Sequence, residues 1–510
     1  MLTSNGIVKE IRSHNHGVGA RGVAVQLFGL TDESFPDRMF FSRCRAQISD
    51  SGSASNVSVN PRSQTFSETP QSQRKNREVD LDKIPARVQR VYVEGLQRTK
   101  DDLVAREVKG VFSASSFSEV VEKANEARYK LEKLGIFKNI SLTIDTSKGS
   151  DAREDGYDVI FEVNESRRIT GGINTLIGNN DASLLFALKF PNTFGRAERF
   201  NIDYTHGTKH SSGCNVSFIK PFELNPDAKI SASIYESHGE YPWSGFKETD
   251  RGINFDISFP SALGSHNLMW EGVWRELNPL GKTTAFAIRE QCGHSLKSSF
   301  KHIFQRDGRD SRIIPTDGSL LRLIQEYAGL GGDVQFIKHE VECQFNKSIN
   351  DTTFQLSLAG GMMKSLNPEK QTLVNDRFFL GGPMTLRGFN VKGVGPHCDG
   401  SALGAESYWL CGLHMYTPLP FRPGRGGFGD LFRTHFFVNA GNLTNVDFTK
   451  DLKYNLAHLA QGLRLAYGAG LVLKMGGIAR LELNYCFPVK SQQGDAVNTG
   501  LQFGIGVTFL

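Results

Sequence analysis

The last ten residues read LQFGIGVTFL, Leu501 to Leu510. Leu501, Phe503, Ile505, Val507 and Phe509 are apolar, while Gln502, Gly504, Gly506 and Thr508 between them are polar or small. Successive side chains of a strand point to opposite faces, so the segment is a strand with one wholly apolar face. In RLELNYCFPV, Leu481, Leu483, Tyr485 and Phe487 alternate with Arg480, Glu482, Asn484 and Cys486. In LRLAYGAGLVLK, the odd positions Leu463, Leu465, Tyr467, Ala469, Leu471 and Leu473 oppose Arg464, Gly468, Gly470 and Lys474. The same period recurs upstream in Phe200, Ile202 and Tyr204, in Ile253, Phe255, Ile257 and Phe259, and in Phe354, Leu356 and Leu358.

Residues 168–510, divided by a strand-plus-loop repeat of about 21 residues, give on the order of 16 strands, each near the roughly 9 to 11 residues that cross a bilayer. A soluble sandwich or propeller also alternates. The opposite face, however, carries Arg, Lys, Glu, Gly and Asn, which suits a wet lumen, and a closed barrel leaves no unpaired backbone in lipid. The expectation is a membrane all-β protein, a 16-stranded antiparallel transmembrane β-barrel over residues 168–510 that lies in a lipid bilayer.

Composition agrees. The 510 residues carry 59 basic and 54 acidic side chains, and a net charge of +5 implies no nucleic-acid partner. Glycine, at 53 residues, exceeds its usual share of about 7%. Seven cysteines are scattered without CxxC spacing, which argues against a disulfide framework and a zinc cluster. No run of about 18 apolar residues exists, so no transmembrane helix is expected. The opening MLTSNGIVKEIRSHNHGVGARG lacks the charged start, apolar region and cleavage site of a secretory signal.

Residues 1–84 contain the Ser/Asn/Gln-rich tract SDSGSASNVSVNPRSQTFSETPQSQRKNRE and read as a disordered arm. His14 and His16 within it have no companion ligands nearby. Residues 85–167 read β-α-α-β-β. ARVQRVYVEG is a strand, and Thr99-Lys-Asp-Asp102 and Ser116-Phe-Ser-Glu119 each fit a capping box. Val120, Ala124, Ala127, Leu131 and Leu134 form one helical stripe closed by Gly135. FKNISLTID and GYDVIFEVNE are the two later strands.

No catalytic motif emerges, and no enzyme activity, metal or cofactor is expected. Gly281-Lys-Thr283 ends like a phosphate-binding loop, but Glu276 stands where the motif requires glycine. His397, Cys398, Cys411 and His414 have irregular spacing and read as ordinary loop residues. Lys338, Glu340 and Glu342 read as a solvated lumen face.

One segment stands apart: FFLGGPMTLRGFNVKGVGP, Phe378 to Pro396, sets Arg387 among glycines and prolines. Such a segment is a long shaped loop. The small domain, the 16-strand barrel and the Leu386-Arg387-Gly388-Phe389 motif together resemble the outer-membrane β-barrel assembly family, over residues 85–510. The small domain is similar to that family's POTRA domain. FFVNAGNL, Phe436 to Leu443, and the closing GIGVTFL fit its late strands. A single POTRA domain without a secretory signal looks like the branch that forms the core of the mitochondrial sorting and assembly machinery.

The resemblance implies that the loop folds into the lumen and that Arg387 meets late-strand polar residues near Asn439 and Glu482. It implies insertion of unfolded β-barrel precursors into the mitochondrial outer membrane, alongside accessory subunits of that machinery, with the POTRA domain facing the intermembrane space. The client route would be a lateral seam between a first strand at about residues 169–179 and a last strand at 501–510, with Gly504 and Gly506 loosening the seam. Gln502, Gly504, Val507 and Phe509 also fit the precursor signal polar-x-Gly-x-x-apolar-x-apolar. A protein-translocating channel of the same superfamily and a passive metabolite pore are the alternatives.

Overall fold

The computed structural model describes residue 82 and residues 84–510, except 149, 179–180, 223–224, 226, 368–371, 420–427, 448 and 477–478. The arm expected over 1–84, with His14 and His16, therefore lies outside the described residues but for Asp82 and Ile84.

The small domain comprises β1 (Arg87–Glu94), α1 (Asp101–Val108), α2 (Phe117–Lys133), β2 (Phe137–Thr146) and β3 (Gly156–Glu165). Its sheet order is β1-β3-β2, with β1 parallel and β2 antiparallel to the central β3. Val88 and Val91 are both buried although three residues apart, because the register against β3 slips between Val88 and Arg90. The α2 stripe from Val120 to Leu134 is buried as expected, and Gly135 leaves the helix at φ +62°.

Neither capping box forms in full. The Glu119 amide donates to Ser116 Oγ at 3.3 Å, but the Glu119 carboxylate accepts from the Ser115 amide and hydroxyl. At α1 the Thr99 hydroxyl donates to Glu165 at 2.7 Å, so Lys100 opens the helix with no side-chain cap. A tertiary partner has outcompeted the local one.

Glu165 is the centre of a joint. Its carboxylate accepts from the amides of Gln97, Arg98 and Thr99, the Thr99 hydroxyl and Arg98 Nε. Burial opposes the charge, but these donors outweigh it and hold the carboxyl down at about 2. From the large sheet, Asn192 Nδ2 donates to Thr99 Oγ1 at 2.8 Å and Arg199 Nη2 to the Leu134 carbonyl at 2.7 Å. The Lys100 amide donates to the Gly195 carbonyl, and Lys133 pairs with Asp227 at 2.8 Å. Gly195 sits at φ +85° where a Cβ would stand 2.4 Å from the Arg98 carbonyl oxygen, so the two parts meet backbone to backbone.

The large sheet begins with β4 (Thr170–Gly178), β5 (Asp181–Pro191), β6 (Arg199–Gly207), β7 (Ser212–Pro221), β8 (Lys229–Tyr241) and β9 (Phe246–Pro260). It continues through β10 (Ser265–Pro279), β11 (Gly293–Asp307), β12 (Gly318–Gly332), β13 (Phe336–Ile349) and β14 (Thr352–Ser365). A long loop holding the two-residue strands β15 (His397–Cys398) and β16 (Ser401–Ala402) leads to β17 (Ser407–Pro418) and β18 (Phe432–Thr444). The sheet closes with β19 (Arg464–Met475), β20 (Ala479–Lys490) and β21 (Gly500–Gly506). These are 16 strands in one sheet, each antiparallel to its chain neighbour, from β4 at one end to β21 at the other. The sheet curls until β4 and β21 approach within 8 Å between Cα atoms, yet no ladder joins them among the described residues.

Alternation sorts the residues as expected. Ile173, Ile234, Phe255, Phe354, Tyr467, Leu483 and Phe503 face outward and are exposed, whereas Gln344, Gln355, His435, Asn439, Glu482 and Asn484 are buried on the inner face. An apolar exterior around a polar interior is the pattern of a strand cylinder in lipid. No helix among the described residues is long and apolar enough to cross a membrane.

The ends of the sheet correct the expected boundaries. The first strand falls inside 169–179, with Asn179 outside the described residues. The last stops at Gly506, not Leu510. Val507 lies beyond it, and Phe509, expected on the apolar outer face, is buried at 3% exposure. The cause is the long loop: the Leu510 amide donates to the Met384 carbonyl, which turns the chain end inward.

Candidate functional site: the loop arginine and the last strands

The long loop enters the interior of the cylinder. Leu386, Arg387 and Phe389 are fully buried, and Gly388 takes φ +85° with a Cβ position 3.1 Å from Ala466 Cβ. A side chain there would be strained and crowded at once.

Arg387 is answered from β20 and the chain end. Its Nε and Nη2 donate to Glu482 Oε2 at 3.1 and 2.9 Å, and its Nη1 donates to the Leu510 carbonyl at 2.9 Å. With the Asn439 amide turned to suit its neighbours, the Asn439 side-chain oxygen accepts from Nη1 at 3.1 Å. Asn439 and Glu482 thus both lie against Arg387, and Glu482 carries the charge. Arg480 Nη2 stands 3.0 Å from the other Glu482 oxygen. Two guanidiniums therefore share one carboxylate, and aromatic faces supply the remaining attraction. Arg480 lies 4.2 Å from the Phe509 centroid, and Arg387 lies 5.3 Å from that of Phe437.

The last strand carries the loop tip. Gln502 Oε1 accepts from the Gly388 amide at 3.1 Å, and its Nε2 donates to the Phe389 carbonyl at 2.8 Å. Gly504 and Gly506 leave room for the loop: a Cβ would stand 2.9 Å from Pro383 Cβ at the first and 2.4 Å from Met384 Cε at the second. The reading of these glycines as looseners of the seam is corrected, because their missing side chains face the loop. Gln502 likewise points inward. Leu501 and Phe503 are the outward residues, 68% and 49% exposed.

Arg480, the Leu510 carbonyl and Phe437 were not singled out from sequence. Arg480 had a signal, since it lies two residues before Glu482 and so on the same face. A further clamp was also missed. Asp495 accepts from Arg464 Nε and Nη2 at 2.9 and 3.0 Å and from the Gly395 amide at 3.1 Å, fixing the outgoing half of the loop.

The other expected candidates disperse. Cys411 and His414 belong to β17, while His397 and Cys398 lie on the loop. His414 Nδ1 meets His435 Nε2 at 3.0 Å, and no group of three or more metal-ligating side chains occurs among the described residues. Gly281 and Thr283 lie in the turn between β10 and the short helix α3 (Phe286–Arg289). Lys338 pairs with Glu340 on the inner face at 3.5 Å.

The family described as the Omp85 superfamily domain matches residues 192–509. The chain belongs to the Omp85 superfamily. This Omp85 protein is 52% identical to sorting and assembly machinery component 50 homolog B of Xenopus laevis, over 83% of its own length and 90% of that protein's. It is 50% identical, over the same shares, to the corresponding Homo sapiens homolog. A SAM50-like protein of Drosophila melanogaster is 36% identical over 86% of this chain and 98% of its own. In fold it resembles BamA from Haemophilus ducreyi lacking POTRA domains 1-3, with a TM-score of 0.67 at 18% identity, over 82% of this chain and 84% of that one. The shared fold is that of a membrane β-barrel.

Proposed function

We propose that this protein is a barrel-assembly component of the mitochondrial outer membrane, which inserts and folds β-barrel precursors through the seam between β4 and β21. The observation that carries this reading is that those strands, the two ends of the sheet, approach each other with no ladder between them among the described residues. A sheet edge in lipid is costly to leave open, and a client strand covers it by adding itself there. No nucleotide or reacting group is needed, because each new backbone pair supplies its own driving force. The small domain is the POTRA domain. It faces the intermembrane space, seated by Glu165 and Asn192 beside the first strands, and the sorting and assembly machinery supplies its partner subunits.

The alternative routes through the lumen, as a protein-translocating channel or metabolite pore, fit less well. At the end away from the small domain, Ser244 Oγ donates to the Ala402 carbonyl at 2.7 Å and the Val374 amide to Gln291 Oε1 at 2.8 Å. Loops tied to one another in this way obstruct a through-passage and favour sideways release.

The test is import of a radiolabelled barrel precursor into mitochondria carrying Phe503→Cys, with a cysteine in the precursor's last strand. Phe503 is chosen because it faces outward at the seam, whereas Gln502 clamps the loop. A disulfide that disappears when the precursor's signal glycine is changed supports the seam. Normal import with no seam disulfide, while a control thiol reacts, sinks it.

A further inference from the structure

The loop has a second charged end. Eleven residues before Arg387, Asp376 is buried at 5% exposure, and Arg275 Nη1 donates to its Oδ1 at 2.9 Å. Lys297 Nζ lies 3.5 Å from the same oxygen, and Lys338 Nζ donates to the Asp376 backbone carbonyl at 3.1 Å. These cations stand on β10, β11 and β13. Beside them Asn375 Nδ2 donates to Glu248 on β9, and Val374 packs with Phe246, Leu277 and Ile288. The wall from β9 to β13 therefore grips residues 374–376, while the wall from β18 to β21 grips residues 387–389.

We infer that Asp376 is a positioning residue: it anchors the loop to the wall opposite the seam and so sets where Arg387 and its neighbours meet the last strand. The charges are complementary by design of the sequence, an anion on the loop facing cations at one wall and a cation on the loop facing an anion at the other. Between the two anchors run only Arg377 to Leu386, whose backbone is itself tied. The Phe378 amide donates to the Ala405 carbonyl, the Val394 amide to the Leu380 carbonyl and the Gly382 amide to the Leu386 carbonyl. Arg377 closes the near part on the Thr372 carbonyl, with Nη2 at 2.8 Å. A displacement at Asp376 cannot be absorbed in a slack segment and is passed on to the tip. The inference concerns how the last strand is held and stands whether or not clients leave by the seam.

The test uses the full chain in membranes with cysteines at Met384 and Gly506, whose side-chain positions adjoin, and reads disulfide yield under mild oxidation. A control pair at Leu413 and Val438, register partners on the outer face, reports the wall alone. Asp376→Asn is expected to lower the 384–506 yield about fivefold or more, a normal coupling between linked sites, and to leave the 413–438 yield unchanged. Asp376→Glu should restore most of it. A wild-type 384–506 yield in Asp376→Asn overturns the inference. Should Asp376→Asn lose the control disulfide as well, Arg275→Lys decides: it keeps the charge but not the planar fork, so the tip yield should fall with the control intact, and no fall refutes the coupling.

Discussion

Replacing Glu482 by Gln should damage the protein more than replacing Arg387 by Met, although both break the same ion pair. Glu482 stands 2.9 Å from Arg387 and 3.0 Å from Arg480, and all three side chains are almost entirely buried. At an effective dielectric of about 20, a unit pair about 4 Å apart is worth about 4 kcal/mol. Glu482→Gln removes the anion from both pairs and leaves two buried guanidiniums without the side-chain counter-charge they share, a loss of about 3–5 kcal/mol. Arg387→Met leaves Arg480 and Glu482 as a neutral pair. Its cost is an orphaned Leu510 carbonyl and lost contacts, about 1–3 kcal/mol. The double variant holds one unpaired cation in place of two, so it should be less destabilised than the two singles added, by about 1 kcal/mol or more. Urea midpoints in lipid vesicles, read from the altered gel migration of the folded barrel, give the three values at constant slope. If Arg387→Met proves equal to or worse than Glu482→Gln, the shared-carboxylate account is wrong.

Three further outcomes follow from the same contacts. Glu165 is held at about 2 against an ordinary 4.5. Its contribution to the joint is therefore complete above about pH 4.5 and is lost as pH falls from there through 2, which hydrogen exchange at the Gln97, Arg98 and Thr99 amides should report as rising opening rates in the acid range. Gly506→Leu should force Met384 aside at about 1–3 kcal/mol, lowering the urea midpoint, whereas Phe503→Leu on the outer face should leave it within about 0.5 kcal/mol. Gln502→Ala strips partners from the Gly388 amide and Phe389 carbonyl, costing about 1–3 kcal/mol, and should speed proteolysis of the loop in folded protein.

The period-2 pattern was legible because it is local: each strand states its own inner and outer face, and the length of residues 168–510 divided by one strand-plus-loop repeat sets how many strands there are. The same pattern already placed Gly504 and Gly506 with Gln502 on the inner face. They were misassigned because a glycine in a strand next to a seam looks like weakness until the atoms that occupy its missing Cβ are known. Thr99 fits a capping box by spacing, and only the fold brings Glu165, sixty-six residues later, close enough to take its hydroxyl. Asp376 is a single acid in a long loop. Nothing local pairs it with Arg275, which lies 101 residues away in sequence. Partners of that kind depend on how the sheet curls, and hydropathy does not encode the curl.

The last strand presents a physical problem that the loop resolves. Within the sheet an inner strand has a ladder on each side, but among the described residues β21 has one, with β20. A strand so placed would ordinarily fray. Here the missing support comes from inside. Gln502 holds the backbone of Gly388 and Phe389, the Asn498 amide donates to the Gly388 carbonyl, and Arg387 with Met384 holds the chain end at Leu510. These bonds use side chains on the inner face and groups beyond the strand's ends. Support from the lumen and the edge that faces β4, which compete in a closed barrel, are thus assigned to different directions around one strand. The glycine-rich loop around Arg387 follows from that division: only a backbone with little side-chain bulk can lie flat against the inside of a strand and still carry a guanidinium past it to Glu482.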